Sequence, residues 1–349
     1  MSAAGTVTAA GLWPGAVRDA VDAEIAAFLD REAAAAPDPC LPPLVEVART
    51  FTGGGKRIRP LFCAAGWLAA GGATGSPAIH RAGAALELFH TFALIHDDIM
   101  DNSDTRRGRP TVHRALGGGG RSGVSAAILL GDLCLVWSDR LLAAVPLPPG
   151  RIAAARPHLD AMRVEAVAGQ YLDIDGTPEL GDLDRAWRVV RHKTASYTVA
   201  RPLQIGAALA GAREPLLRFC AAFGRPVGEA FQLRDDLLGA FGDPAATGKS
   251  SVDDFRGGKR TVLVALAWRQ AGPAERRVLR AHYGRADLDA AGAAELRAAI
   301  RATGADTMTQ DLIDRRIGHA LDLLAAAPVP EPARPVLAAL AGTATARTH

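Results

Sequence analysis

Residues 90–113 read HTFALIHDDIMDNSDTRRGRPTVH. Apolar residues lead up to three carboxylates, Asp97, Asp98 and Asp101. A polar break follows, and then the basic pair Arg106 and Arg107. On a helix, Asp97 and Asp101 share a face one turn apart, and Asp98 neighbours Asp101 at a spacing of three. Like charges at such spacings cost a helix roughly 0.2–0.5 kcal/mol per pair. A bound divalent cation gives the cluster a use, because hard cations take oxygen ligands. Arginines just beyond suit an anion held with the metal, and phosphate matches their geometry. The plainer alternative is a solvated helix end, and the rest of the chain decides between the two.

At 349 residues the chain can bury a large core. Hydrophobic residues make up 49% and aromatics only 5%, with alanine dominant, so helix formers outweigh strand formers. The expected class is all-α. A net charge of +3, with basic residues scattered among acidic ones, argues against nucleic acid as a partner. Cys40, Cys63, Cys134 and Cys220 form no CxxC pair, so neither a zinc site nor a disulfide framework is signalled. Reduced thiols in the cytoplasm are the expectation. The N-terminus lacks signal-peptide order, and no apolar run reaches the roughly 18 residues of a membrane span.

Residues 1–14 are expected to be a disordered lead, with a single domain over 15–349. Val17, Val21, Ile25 and Phe28 form an apolar stripe predicting a helix over about 15–36. The segment FTGGGKRIRP then places Gly53–Gly55 before Lys56, Arg57 and Arg59. Glycines let the backbone approach an anion, and a helix start favours negative charge. It is not a P-loop, since GxxxxGK[ST] is absent. A long apolar helix over 77–101 carries His90 and ends in the aspartates, and a Gly-rich loop over 102–122 follows. Another helix ends with Gln170 and Asp173, and Lys193 and Thr194 sit among small residues. A further helix bears Gln232, Asp235 and Asp236, with Asp243, Lys249, Asp253, Asp254 and Lys259 after it.

Two acidic clusters thus end apolar helices, both flanked by cations. Facing each other in a bundle, they would bridge a diphosphate through Mg²⁺, which takes one or two carboxylates plus phosphate oxygens. The motifs GGGKRIRP, HDDIMDNSDTRRGRPTVH, GQYLDID, KTASYT, FQLRDDLLGAFGD, TGKS and GGKRT, over roughly 50–265, resemble in order those of the trans-isoprenyl diphosphate synthases, the polyprenyl synthetase family. The resemblance implies an all-helical bundle around a deep central cavity, a homodimer, and Mg²⁺-dependent head-to-tail condensation of isopentenyl diphosphate with allylic diphosphates (dimethylallyl, geranyl, farnesyl). It implies that Asp97, Asp98, Asp101, Asp235 and Asp236 hold Mg²⁺, three ions per site, with Gln170 and Asp243 in support. It assigns Arg106, Lys193, Thr194, Gln232, Lys249 and Lys259 to the allylic site. It assigns Lys56, Arg59, His90 and Arg107, with Arg57 beside them, to isopentenyl diphosphate. The second motif departs from DDxxD, because Gly239 stands where a third aspartate is common, and this puts one metal site in doubt.

The hydrocarbon tail should run back along the helix of the first motif. Phe89, Phe92 and Ala93 lie one to two turns before Asp97, at about 5.4 Å per turn, close to one isoprene unit. Alanine at 93 leaves room, and the phenylalanines form a floor, so the expected product is the C20 geranylgeranyl diphosphate. Farnesyl diphosphate is the second choice and a C25 product the third. Two rivals remain: a terpene cyclase derived from this family, and a non-catalytic synthase subunit. The cyclase does not need Lys56, Arg59 and His90, and the subunit tends to lose aspartates.

Overall fold

Alanine-rich segments with apolar residues three and four apart become helices throughout the computed structural model, which describes residues 4–175, 179–242 and 252–345. In chain order the elements are α1 (Ala4–Ala34), α2 (Leu41–Thr52), α3 (Ile58–Ala69), α4 (Pro77–Met100), β1 (Thr105–Arg106), β2 (Arg109–Pro110), α5 (Val112–Ala115), α6 (Arg121–Ala143) and α7 (Pro149–Ile174). Then come α8 (Leu183–Val189), a π-helical segment (Val190–Ala200), α9 (Arg201–Ala210), α10 (Glu214–Phe241), α11 (Asp253–Arg256), α12 (Val262–Gln270), α13 (Pro273–His282), α14 (Ala290–Ala302), α15 (Ala305–Ala326) and α16 (Arg334–Thr345). The all-α expectation holds, with one two-stranded hairpin among the described residues. α1 begins at Ala4 and so takes in most of the stretch set apart as a lead.

The chain forms two compact units: Met1–Asp160 with Arg201–Cys220 and Pro328–Leu340, and Ala161–Ala200 with Ala221–Ala327 and Ala341–His349. In the first, the stripe Val17, Val21, Ile25 and Phe28 is buried, and α4 packs against α1, α3 and α6. Phe62, Leu86, Phe89, Ile95 and Leu130 are among its largest fully buried groups. Truncating such a leucine or phenylalanine to alanine costs about 2–5 kcal/mol. Helices α3 and α9 touch at backbone level: a Cβ on Gly66 would lie 2.0 Å from the Leu203 carbonyl oxygen, and one on Gly206 1.8 Å from that of Cys63.

α4 opens with Pro77, whose missing N–H is no loss in a first turn. It stops because Asn102 turns left-handed (φ 49°) just past the Asp101 cap. The first aspartate cluster is therefore set at a helix end, with Asp98 buried and Asp97 half-buried.

In the second unit, α10, α12, α14 and α15 enclose a core of Leu233, Phe255, Leu263, Leu266, Leu296 and Ile313. Side-chain caps start three of its helices, from Asp182, Thr261 and Asp289. Among the described residues no helix is long and apolar enough to cross a membrane.

Candidate active site

The Gly-rich stretch after the first motif contains a hairpin. Arg107 (φ 52°) and Gly108 (φ 71°) occupy a two-residue turn, and Arg106 pairs with Arg109 across it. Positive φ at both positions matches the twist of paired strands. The turn carries Arg106 back over the aspartates. Its Nε donates to both Asp98 carboxylate oxygens at 2.9 Å, and its Nη2 donates to Asp98 Oδ1 at 2.7 Å and to Asp97 Oδ2 at 3.5 Å. Burial works against the Arg106 charge, but its bonds and proximity to Asp98, Asp97 and Asp101 raise its pKa above the ordinary arginine value.

Arg107 reaches back to the Gly-rich turn before α3, where its Nη1 donates to the Gly53 carbonyl at 3.2 Å. Burial and the neighbouring Arg106, Arg57 and Arg59 lower its pKa, against the pull of Glu87. His90 lies in the same crowd. Burial first, then Arg59, Arg107, Arg106 and Arg57, hold its pKa well below 6.5, so the imidazole is neutral. Such a concentration of guanidiniums around an uncharged ring is a ready anion site. Beside it opens a cavity of about 660 Å³, lined by Phe51, Gly53, Gly54, Arg106, Arg107 and Val112 among others. Lys56 is exposed and Arg59 half-buried at the start of α3.

Arg57 has a different environment. It caps α3 in a left-handed conformation (φ 52°), which turns its side chain inward. Its Nε donates to Asp22 at 2.6 Å and its Nη1 to Glu87 at 2.9 Å, and only 4% of the side chain is exposed. It braces α1, α3 and α4.

Along α4, Phe89 is fully buried, while Phe92 and Ala93 are half-buried. The Phe92 ring lies 5.4 Å from that of Phe89 and 4.7 Å, edge to face, from the imidazole of His96. His96 also approaches the Ile128 carbonyl, at 3.3 Å. Sequence reasoning missed this histidine. Its place four residues after Phe92 was the available signal.

The second unit gathers the other predicted residues. Lys193 and Thr194 lie in the π-helical segment, a rare form often found at functional sites. Gly169 permits this, since a Cβ there would meet the Lys193 backbone nitrogen at 2.3 Å. Lys193 Nζ donates to Asp173 Oδ2 at 2.6 Å. The Thr194 hydroxyl donates to Gln232 Oε1 at 2.5 Å, and Gln232 Nε2 donates to Asp236 Oδ1 at 2.7 Å. Gln170 and Asp235 are half-buried nearby in sequence. Asp243 and Lys249 lie outside the described residues.

Burial pushes the Asp236 carboxyl up to about 8, helped by Asp254, Asp235 and Asp173 and opposed by the Gln232 hydrogen bond. Asp236 Oδ2 is buried and accepts no hydrogen bond. A hard cation suits this oxygen, with further carboxylates close by and cations (Lys193, Lys259) at the edge. Among the described residues no three acidic, histidine or cysteine groups form a ready-made cage. Asp173 and Asp254 were absent from the predicted ligands, although Asp173 lies within GQYLDID, three residues after Gln170, and Asp254 precedes GGKRT.

The polyprenyl synthetase profile matches residues 42–300. The geranylgeranyl diphosphate synthase of Sulfolobus acidocaldarius is 37% identical over 228 residues, 64% of this chain and 66% of that enzyme. The geranylfarnesyl diphosphate synthase of Aeropyrum pernix is 36% identical over 227 residues, 64% of this chain and 69% of that one. A crystal structure of geranylgeranyl pyrophosphate synthase from Corynebacterium glutamicum, complexed with isoprenyl diphosphate and magnesium, superposes with a TM-score of 0.87. Its sequence is 40% identical, covering 96% of this chain and 98% of that one. With the profile spanning both acidic clusters and both sets of cations, the chain belongs to the polyprenyl synthetase family.

Proposed function

We propose that the protein is a trans-prenyltransferase that joins isopentenyl diphosphate to an allylic diphosphate head to tail, with geranylgeranyl diphosphate as its product. Both compact units then belong to one isoprenoid synthase domain. The observation that carries the reading is the set Asp97, Asp98, Arg106, Arg107 and neutral His90 at the end of α4. It pairs carboxylates suited to a metal with guanidiniums suited to a diphosphate. The similar Corynebacterium enzyme was crystallised with those ligands.

Asp97, Asp98 and Asp101 in the first unit, and Asp235 and Asp236 in the second, are the carboxylates that would hold Mg²⁺, three ions in all, with Gln170 and Asp243 in support. When bound, Mg²⁺ offsets negative charge on the departing diphosphate. Arg106 in the first unit, and Lys193, Lys249 and Lys259 in the second, are the cations suited to the allylic diphosphate and its developing charge. Thr194 and Gln232 orient Asp236 through their hydrogen-bond chain. Lys56, Arg59 and Arg107 grip isopentenyl diphosphate, and the nearby cavity, with Phe51 and Val112 in its wall, accepts its hydrocarbon. His90, held neutral, offers a hydrogen bond without adding repulsion to that crowd. Arg57 serves as their brace. Apolar walls exclude water while the allylic carbon reacts. The proton lost at the end goes to the released diphosphate, since no side-chain base stands out.

Product length is read from Phe92, which is braced by Phe89 and His96 and so makes a firm floor, while Ala93 leaves space above it. A homodimer is supported by Ile128, Leu129 and Val136 on α6, which are exposed despite their apolarity. Free thiols at Cys63, Cys134 and Cys220 suit a reducing compartment such as the cytoplasm. The test is Asp97→Ala and Asp98→Ala in a steady-state assay. Turnover should fall by orders of magnitude, with an unchanged helical circular dichroism spectrum. Near-normal turnover in either variant overturns the reading.

A further inference from the structure

Gly239 stands where a third carboxylate is common in the second motif, yet the space is filled. A Cβ built on Gly239 would lie 2.1 Å from Asp254 Oδ2 and 3.2 Å from its Cγ. No side chain fits at 239 while Asp254 keeps this position. Asp254 arrives from a separate element, the single turn α11, and that turn is firmly held. Phe255 is buried in the core of its unit and packs against Tyr283, with ring centroids 6.0 Å apart. Arg256 donates to the Leu288 carbonyl at 2.7 and 3.0 Å, and the Gly284 amide donates to the Phe255 carbonyl at 2.9 Å. The Asp254 carboxylate faces Lys259 Nζ at 3.8 Å.

A second observation points to a cation. Asp236 is nine-tenths buried, and its Oδ2 accepts no hydrogen bond. Position 239 comes three residues after Asp236 on α10, so the Asp254 oxygen beside Gly239 lies on the helix face that Asp236 shares. A buried carboxyl oxygen without a hydrogen-bond partner, on the face where a second carboxyl group arrives, suits a shared cation. Lys259 answers to one oxygen of Asp254, and Asp236 Oδ2 still lacks a partner.

We propose that Asp254 supplies the third carboxylate of the second acidic cluster, and that Gly239 is the space that admits it. The second motif is then complete, with its last ligand carried by the short helix before GGKRT. Asp254 holds the cation directly or through one of its waters, as Mg²⁺ sites commonly do. This inference rests on the metal-dependent reading above, and the test below separates the two.

The experiment measures binding of Mn²⁺, with inorganic diphosphate present, to the full chain by titration calorimetry and by electron paramagnetic resonance. Asp254→Asn should weaken binding about ten- to a hundred-fold at the affected site. Gly239→Ala removes no ligand, yet its methyl group displaces Asp254 and should weaken binding in the same direction. The swap Gly239→Asp/Asp254→Ala should recover affinity, because position 239's Cβ is 3.8 Å from that of Asp254, an ordinary contact. Circular dichroism melts of the metal-free variants establish that each is folded. Asp235→Asn is the reference. If it weakens Mn²⁺ binding while Asp254→Asn and Gly239→Ala bind as wild type, the role of Asp254 is overturned and the proposed function stands. If Asp235→Asn and Asp254→Asn both bind as wild type, the metal-dependent reading itself falls, and this inference with it.

Discussion

Replacing Arg57 by methionine tests whether this arginine holds the protein together or holds substrate. Methionine keeps most of the stem volume and carries the same left-handed backbone cost, so the comparison isolates the guanidinium. The Arg57 and Glu87 side chains are 4% and 5% exposed, and 2.9 Å separates their charged atoms. Glu87 Oε1 already lacks a hydrogen-bond partner. Without Arg57 the buried carboxylate is uncompensated, which costs about 3–5 kcal/mol. The Asp22 arm adds less than about 1 kcal/mol, because half of the Asp22 side chain is in solvent. Urea titrations followed by circular dichroism and tryptophan fluorescence should show this loss. The double variant Arg57→Met/Glu87→Leu removes both charges and should regain most of it. The reasoning is refuted if Arg57→Met loses under about 1 kcal/mol while its KM for isopentenyl diphosphate rises sharply. Arg57 would then be a substrate ligand.

Three further outcomes follow from the geometry. Phe92→Ala should lengthen the product by about one isoprene unit per turn of α4 opened, read by chromatography of the dephosphorylated alcohols; an unchanged product contradicts the floor. His90 supplies a pH effect: its folded pKa lies well below 6.5, so the unfolded chain binds a proton that the folded chain refuses. Stability therefore falls as pH drops from about 7 through 6.5, and His90→Gln should reduce that slope in urea titrations at pH 7.5 and 5.5. Thr194→Val removes a 2.5 Å bond to Gln232, and buried hydrogen bonds of this kind are worth about 1 kcal/mol. Turnover should fall with the fold intact, measured as kcat beside a thermal melt; a drop in melting temperature with unchanged kcat contradicts the orienting role.

The helices were legible because their apolar residues recur at 3.6-residue spacing over long stretches. α4 was expected over 77–101 and runs Pro77–Met100, and the stripe on α1 is buried as read. The hairpin was not legible. Its turn is Arg107–Gly108, without the Asn-Gly or Asp-Gly signal that marks such turns. The sequence placed Arg57 among the anion-binding cations, since its neighbours are Lys56 and Arg59. Its inward direction comes from one left-handed residue, and its partners stand 35 and 30 positions away. Asp254 escaped for a similar reason. In the sequence Gly239 is an absent aspartate, whereas in three dimensions it is a space that another helix fills. The motifs of both clusters were readable because each lies on one helix with its neighbours three and four residues off. What each side chain faces across elements was not.

The central claim is tested most directly by incubating the protein with Mg²⁺, isopentenyl diphosphate and each allylic diphosphate from C5 to C20. Products are sized with and without phosphatase treatment. The account predicts a C20 product that partitions into organic solvent only after phosphatase. A hydrocarbon released without phosphatase, or no elongated product with any starter, would contradict it.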